Sequence, residues 1–164
     1  MAAEQSSQDS WTTDLRIRLD ELIDEYREAL NHSLDDLTED EARRRLVPSK
    51  TTLLGLLKHV TYVEGVWFDQ ALTGRSYQEI GIATTPDRSF TLRASDTIAT
   101  IREAHRLRCQ ASRVAMAELR LGERVQGRGD RPVWALHLQV LRELAQHAGH
   151  ADILREQVLA ARNG

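Results

Sequence analysis

Residues 133–158 read VWALHLQVLRELAQHAGHADILREQV. Val133, Leu136, Val140, Leu141 and Leu144 step by threes and fours, and Ile153, Leu154 and Val158 continue the spacing. That is the apolar stripe of an amphipathic α-helix. Pro132 suits its first turn, where a missing N–H costs nothing. Within it Glu143, His147 and His150 stand at i, i+4 and i+7. At about 100° per residue they lie within roughly 60° of one another on one face. The stretch therefore predicts both a long helix and a cluster of metal-ligand side chains on it.

Three further helical patterns precede it. The first runs from about Thr12 to Asn31, with Leu15, Leu19, Leu22, Tyr26 and Leu30 on one face and Asp20, Glu21, Asp24, Arg27 and Glu28 on the other. A minor helix over Thr38 to Arg45 has Thr38 as N-cap and Glu41 as its capping-box partner. The second long helix starts near Thr51 or Thr52 and ends at Gly74. Leu53, Leu56, Leu57, Val60, Val63 and Trp67 make its apolar face, and His59 falls partly inward between Leu56 and Val63. Gly55 and Gly65 cost helix propensity and mark close helix contacts rather than breaks. The third runs from Ser95 or Asp96 to Leu119 on a stripe of Ile98, Ile101, His105, Cys109, Ser112, Met116 and Leu119. No strand is convincing. Pro48, Pro86 and Pro132 all fall between the long patterns.

The connection from Gly74 to Leu92 is long and turn-rich. Antiparallel neighbours need only about two to eight residues. A link of this length can return the chain along the bundle and leave the second and third helices parallel, a known bundle variant. Glycines 127 and 129 mark the loop before the fourth helix.

Composition is that of a soluble globular chain: 164 residues, 41% hydrophobic, 29% charged, net charge −3. One domain is expected over 12–160, preceded by a polar, flexible N-terminus at 1–11. No basic stripe interleaved with aromatics points to nucleic acid. No apolar run is long enough for a membrane, and residues 1–10 lack the regions of a signal peptide. The single cysteine, Cys109, excludes an internal disulfide framework and suits a reducing, cytoplasmic compartment.

Side chains four apart converge, so Glu143 and His147 make a natural ligand pair. His59 from another helix completes a two-histidine, one-carboxylate set. Such a set suits zinc, nickel or ferrous iron. His150 is a fourth ligand, a neighbour that orients a ligand, or a proton carrier. His105 and His137 have no i+4 partner of ligand type and read as structural. Cys109 reads as a small core residue, and Trp67 and Trp134 as core anchors. No nucleophile triad, Gly-rich phosphate loop or Cys-x-x-Cys is present.

The string Thr52-Leu53-Leu54-Gly55-Leu56-Leu57-Lys58-His59-Val60, with Val63-Glu64 and Trp67-Phe68, resembles the second helix of the DinB-like superfamily. His147-Ala148-Gly149-His150-Ala151-Asp152-Ile153-Leu154-Arg155-Glu156 resembles the fourth-helix signature of the same branch, which is related to mycothiol-dependent maleylpyruvate isomerases. The resemblance covers roughly residues 12–160. It implies a four-helix bundle in up-down-down-up order. It also implies a divalent metal held by one histidine of the second helix and an i, i+4 pair on the fourth, here His59, Glu143 and His147. Superfamily members include transferases and isomerases that use mycothiol or bacillithiol, and several form dimers. The branch often has a histidine eight residues before the position of His147; this chain has Gln139 there.

Together these readings predict a metal-dependent enzyme, a mycothiol-type S-transferase or isomerase. A metal activates the thiol, a small electrophile is the second substrate, and His150 relays a proton or orients a ligand. Zinc and nickel are the first expectations for the metal, then iron. The alternatives are a non-enzymatic metal or small-ligand binding stress-response protein and a metal-dependent hydrolase. The resemblance makes a homodimer one assembly open to the chain, and the sequence does not fix the oligomeric state.

Overall fold

The computed structural model describes residues 14–162, so the expectation for residues 1–11 lies outside it. Among the described residues the fold is all-α apart from one two-stranded ribbon. In order the elements are α1 (Leu15–His32), α2 (Glu39–Ala42), α3 (Leu53–Gly65), a π-type turn (Val66–Gln70), α4 (Ala71–Thr73), α5 (Tyr77–Ile80), α6 (Pro86–Ser89), α7 (Ile98–Met116), β1 (Arg124–Val125), β2 (Arg131–Pro132) and α8 (Val133–Ala160).

Local chemistry sets most boundaries. The Asp14 side chain accepts from the Arg16 N–H and starts α1 at Leu15, three residues later than expected. Thr38 and Glu41 close the expected capping box. Thr52 caps α3 through the Gly55 N–H, and Thr97 caps α7 with Thr100 as its reciprocal partner. The path begun by α3 runs on through the π-type turn and α4 to Gly74, whose φ of 71° ends it in the left-handed region that favours glycine.

The structure departs from the sequence reading at four places. The sequence does not signal the ribbon, because strands of two residues are too short to show alternation. Arg124 and Val125 pair antiparallel with Pro132 and Arg131. Gly127 lies against the backbone of Gln70, Ala71 and Gly74, where any Cβ would collide. Pro132 is the N-cap of α8 and not a member of its first turn. On α1, Leu15 is 66% exposed, while Ile23 and Arg27 are buried. Arg27 goes inward because Glu64, fully buried on α3, receives both Nε and Nη2 at 2.7 and 2.8 Å. The C-terminal stripe keeps Leu154 and Val158 inside but leaves Ile153 61% exposed.

The core forms where α1, α3, α7 and α8 meet. Leu53, Leu54, Leu56, Leu57 and Val60 of α3, Leu136, Val140 and Leu144 of α8, Ile23 and Leu30 of α1 and Ile101 of α7 belong to one buried cluster. Polar ties run along the helices. Arg16 donates to Met116 O, Arg113 pairs with Asp24, and Arg102 donates to Asn31 O, all between α1 and α7. His137 of α8 meets Asp20 of α1, and Arg155 donates to Ser33 O.

The long connection is not plain loop. It contains α5 and α6, each opened by a hydroxyl cap, Ser76 and Thr85. The segment after α6 is strapped onto α3. Lys58 donates to Thr91 O at 2.8 Å and Asp96 at 2.7 Å, while Asp87 of α6 itself pairs at 2.5 Å with Lys50, just before α3. Gly55 permits the close approach, since a Cβ there would lie 3.2 Å from Phe90 O. Gly65 does the same for Ile82, whose Cγ2 would be 2.8 Å from a Cβ. Both glycines thus serve contact with the connection, not with another helix.

Candidate metal centre

His59 is 5% exposed on α3 and faces α8. Its ring lies 4.7 Å from that of His147, edge to face. Glu143 sits one turn before His147, with Oε2 3.5 Å from His147 Nε2. One ligand atom from each of His59, Glu143 and His147 lies within 4.8 Å of the other two. Residues 59, 143 and 147 are therefore neighbours in space although the chain separates the first from the others by more than eighty positions.

The protonation of His59 follows from its partners. Ser89 Oγ donates to Pro86 O at 2.5 Å, which uses its only hydrogen. His59 Nδ1, 2.6 Å from Ser89 Oγ, must then be the donor of that bond. This leaves Nε2 with the free lone pair, the nitrogen that His59 has to offer beside Glu143 and His147. Phe90 lies flat against the imidazole, 4.0 Å between centroids and 13° between planes. Hydroxyl and aromatic face together hold the ring in one orientation and one tautomer, as the outer partners of ligating histidines do.

Burial and the neighbouring His147 push the His59 pKa down to about 3. Burial lowers that of His147 as well; Glu143 opposes the shift and His150 adds to it. Both imidazoles are thus neutral at physiological pH, the state in which a nitrogen can ligate. Glu143 Oε1 accepts from Arg142 Nη2 at 2.7 Å and Gln139 Nε2 at 3.2 Å, while Oε2 stays turned to His147. Gln139, where the resembled branch often has histidine, thus supports the carboxylate.

His150 is exposed, and its Nδ1 lies 3.3 Å from His147 Nδ1. It stands on the solvent side of the cluster. His137 is buried between Val133 O, at 3.1 Å, and Asp20, at 3.2 Å, away from this cluster. His105 does have an i+4 partner of ligand type, because Cys109 follows it by one turn; the reading of His105 as partnerless needs that correction.

Sequence reasoning did not find Ser89 or Phe90. The pair Thr85-Pro86 was a legible signal for a short helix, a hydroxyl cap followed by a first-turn proline. Nothing local reveals that its last residue meets His59, thirty positions earlier.

The donor set fits a borderline divalent ion: two neutral imidazole nitrogens and one carboxylate oxygen on rigid helices, with one outer shell defined for each type. Three protein donors leave room for an exchangeable ligand, and the set opens to solvent on the Glu143 and His147 side, whose side chains are 20% and 12% exposed. No helix among the described residues is long and apolar enough to cross a membrane.

No curated protein matches the chain closely enough to count as a relative. A family model described as mycothiol-S-transferase matches residues 18–160, which takes in α1 from Arg18 onward, α3, α7, α8 and every residue of the cluster. That match spans most of the sequence, and the family is DinB-like. This chain belongs to the mycothiol S-transferase family.

Proposed function

We propose that this chain is a divalent-metal-dependent S-transferase that joins mycothiol, or a closely similar low-molecular-weight thiol, to a small electrophile. The observation that carries the reading is the convergence of His59, Glu143 and His147 in a chain of this family. These three would hold the ion, zinc or nickel before iron. When bound, such an ion lowers the pKa of a coordinated thiol and stabilises the thiolate.

The chain's own residues set the rest. Ser89 and Phe90 keep His59 Nε2 aimed at the site. Gln139 and Arg142 hold Glu143. His150, exposed and within hydrogen-bonding distance of His147, can take the proton that leaves the thiol and pass it to solvent. The sulfur then forms a bond to the electrophilic carbon. If that carbon carries a leaving group, its bond breaks and the electron pair departs with the group. If it belongs to an activated double bond, the proton returns to the adjacent carbon.

The fold reading beneath this is a single up-down-down-up four-helix bundle over residues 12–160. Support comes from paired ties. Asp24 and Arg113, Arg16 and Met116, and Asn31 and Arg102 set α1 against α7 in reversed order. Lys58 with Asp96 and Glu64 with Cys109 keep α3 and α7 in the same order.

The test is elemental analysis of untagged protein purified without chelators, together with thiol-transfer assays using mycothiol and model electrophiles. The expected result is that His59→Ala and His147→Ala each carry about one ion per chain fewer than the parent protein, with transfer that chelation abolishes. Metal-independent transfer, or metal bound equally well by both variants, overturns it.

A further inference from the structure

A second group of ligand-type side chains lies in the interior, apart from the site above. Glu64 of α3 is fully buried; His105 and Cys109 of α7 are 3% and 4% exposed. One ligand atom from each lies within 4.8 Å of the other two. Cys109 Sγ is 3.4 Å from His105 Nε2 and 3.6 Å from Glu64 Oε1. We propose that Glu64, His105 and Cys109 form a second, interior site for a borderline-soft divalent metal ion of the zinc class.

The distances carry the idea first. Metal–sulfur and metal–nitrogen bonds of about 2.3 and 2.05 Å at a tetrahedral angle place S and N about 3.5 Å apart, and a metal–oxygen bond of similar length gives about the same for S and O. The two separations from sulfur already match these values, and the nitrogen and oxygen lie within 4.8 Å of each other. His105 and Cys109 are also an i, i+4 pair on a rigid helix, the spacing that converges on one point.

Charge is the second support. Glu64 and a Cys109 thiolate balance a divalent ion. Arg27, which donates to both Glu64 oxygens, also pairs at 2.7 Å with Asp24, a carboxylate it shares with Arg113. Each carboxylate oxygen has two lone-pair directions. Arg27 takes one on Oε1 and leaves the other for the ion. Burial first, then Glu64, pushes the Cys109 thiol up to about 12. The thiol is therefore protonated before binding, and one proton leaves as the metal–sulfur bond forms.

An orphaned hydroxyl is the third. Ser112 continues the face of His105 and Cys109 at i+7 and i+3, is 2% exposed, and its Oγ has no hydrogen-bond partner. It lines a cavity of about 690 Å³ that Arg27, Ile23, Phe68 and Met116 share. A water entering from that cavity would satisfy Ser112, one turn from Cys109.

Cobalt(II) tests the proposal, because Cys109 is the only cysteine and any thiolate-to-cobalt charge-transfer band must come from it. The full chain is titrated with cobalt in thiol-free buffer, with circular dichroism as a check of fold. The expected band appears in the parent protein and persists in the His59→Ala/His147→Ala double variant. It vanishes in Cys109→Ser and is weakened at least tenfold in apparent affinity in His105→Ala. Absence of the band in folded parent protein at saturating cobalt overturns the proposal. So does a band that disappears with the double variant, or one unchanged by His105→Ala. Because the double variant lacks the first site's histidines, failure here and failure of the transferase reading are separate results.

Discussion

Ser89→Ala isolates the part of the metal centre that no motif contains. The substitution removes one buried hydroxyl that accepts from His59 Nδ1 at 2.6 Å and donates to Pro86 O at 2.5 Å. His59 then loses the partner that selects its tautomer. It can place its proton on Nε2, the nitrogen turned toward Glu143 and His147, and must give that proton up before it can ligate. Outer partners of ligating histidines are worth about 10–100-fold in metal affinity, or about 1.4–2.8 kcal/mol. The smaller side chain leaves Phe90 stacked on the ring, so the loss should fall in the lower half of that range. Competition against a chromogenic chelator measures the affinity, and nitrogen-15 NMR of the metal-free protein reads the tautomer directly. Ser89→Ala should weaken zinc or nickel about 10–30-fold and shift His59 from Nδ1–H toward a mixture. Ser89→Thr, which retains the hydroxyl, should recover most of the loss. An affinity within about twofold of the parent, with the tautomer unchanged, would refute the assignment of Ser89 as the residue that orients His59.

Other outcomes follow from the same geometry. Gly55→Ala would place a methyl 2.9 Å from Thr52 Oγ1 and 3.2 Å from Phe90 O; the strap should lift from α3 and metal affinity fall, with thermal stability reduced by about 1–3 kcal/mol. Arg27→Met leaves the Glu64 carboxylate buried without its guanidinium, and chemical denaturation should register a loss of about 3–5 kcal/mol. Gln139→Ala removes one donor to Glu143 Oε1 while Arg142 remains, so a loss of affinity smaller than that of Ser89→Ala is expected by chelator competition. Metal-free protein should lose stability as pH falls. Burial holds the His105 pKa down at about 4 and lowers that of His137. The unfolded chain therefore binds protons from about pH 6.5 downward, and the folded chain does not until lower pH. Each such histidine contributes a slope of up to about 1.4 kcal/mol per pH unit. A urea midpoint flat between pH 7 and 5 would contradict it.

Periodicity and capping are sufficient for the four long helices, though not for α5 and α6 in the connection. The three- and four-residue spacings of Leu53 to Val63 and Val133 to Leu144, and the hydroxyls Thr38 and Thr52, are local signals for local structure. They depend on residues within one or two turns, so the linear order contains them. The pairing of Glu143 with His147 is of the same kind, since one helix positions both.

Other features arise from contact between distant segments. Arg27 looks like a surface residue on its own helix, yet it is buried because Glu64 on another helix needs a counter-charge in a medium where an unpaired carboxylate is very costly. Ser89 and Phe90 acquire their places from Lys58 and Gly55, which pin the connection against α3. His105, Cys109 and Glu64 come together only when α7 packs on α3. The amino-acid order by itself determined which stretches coil and which side chains each coil presents on one face, because those depend on backbone geometry. Tertiary structure alone decided which faces meet, which nitrogen of His59 is turned to the site and which charges are buried, because burial, desolvation and hydrogen-bond partners belong to the packed whole.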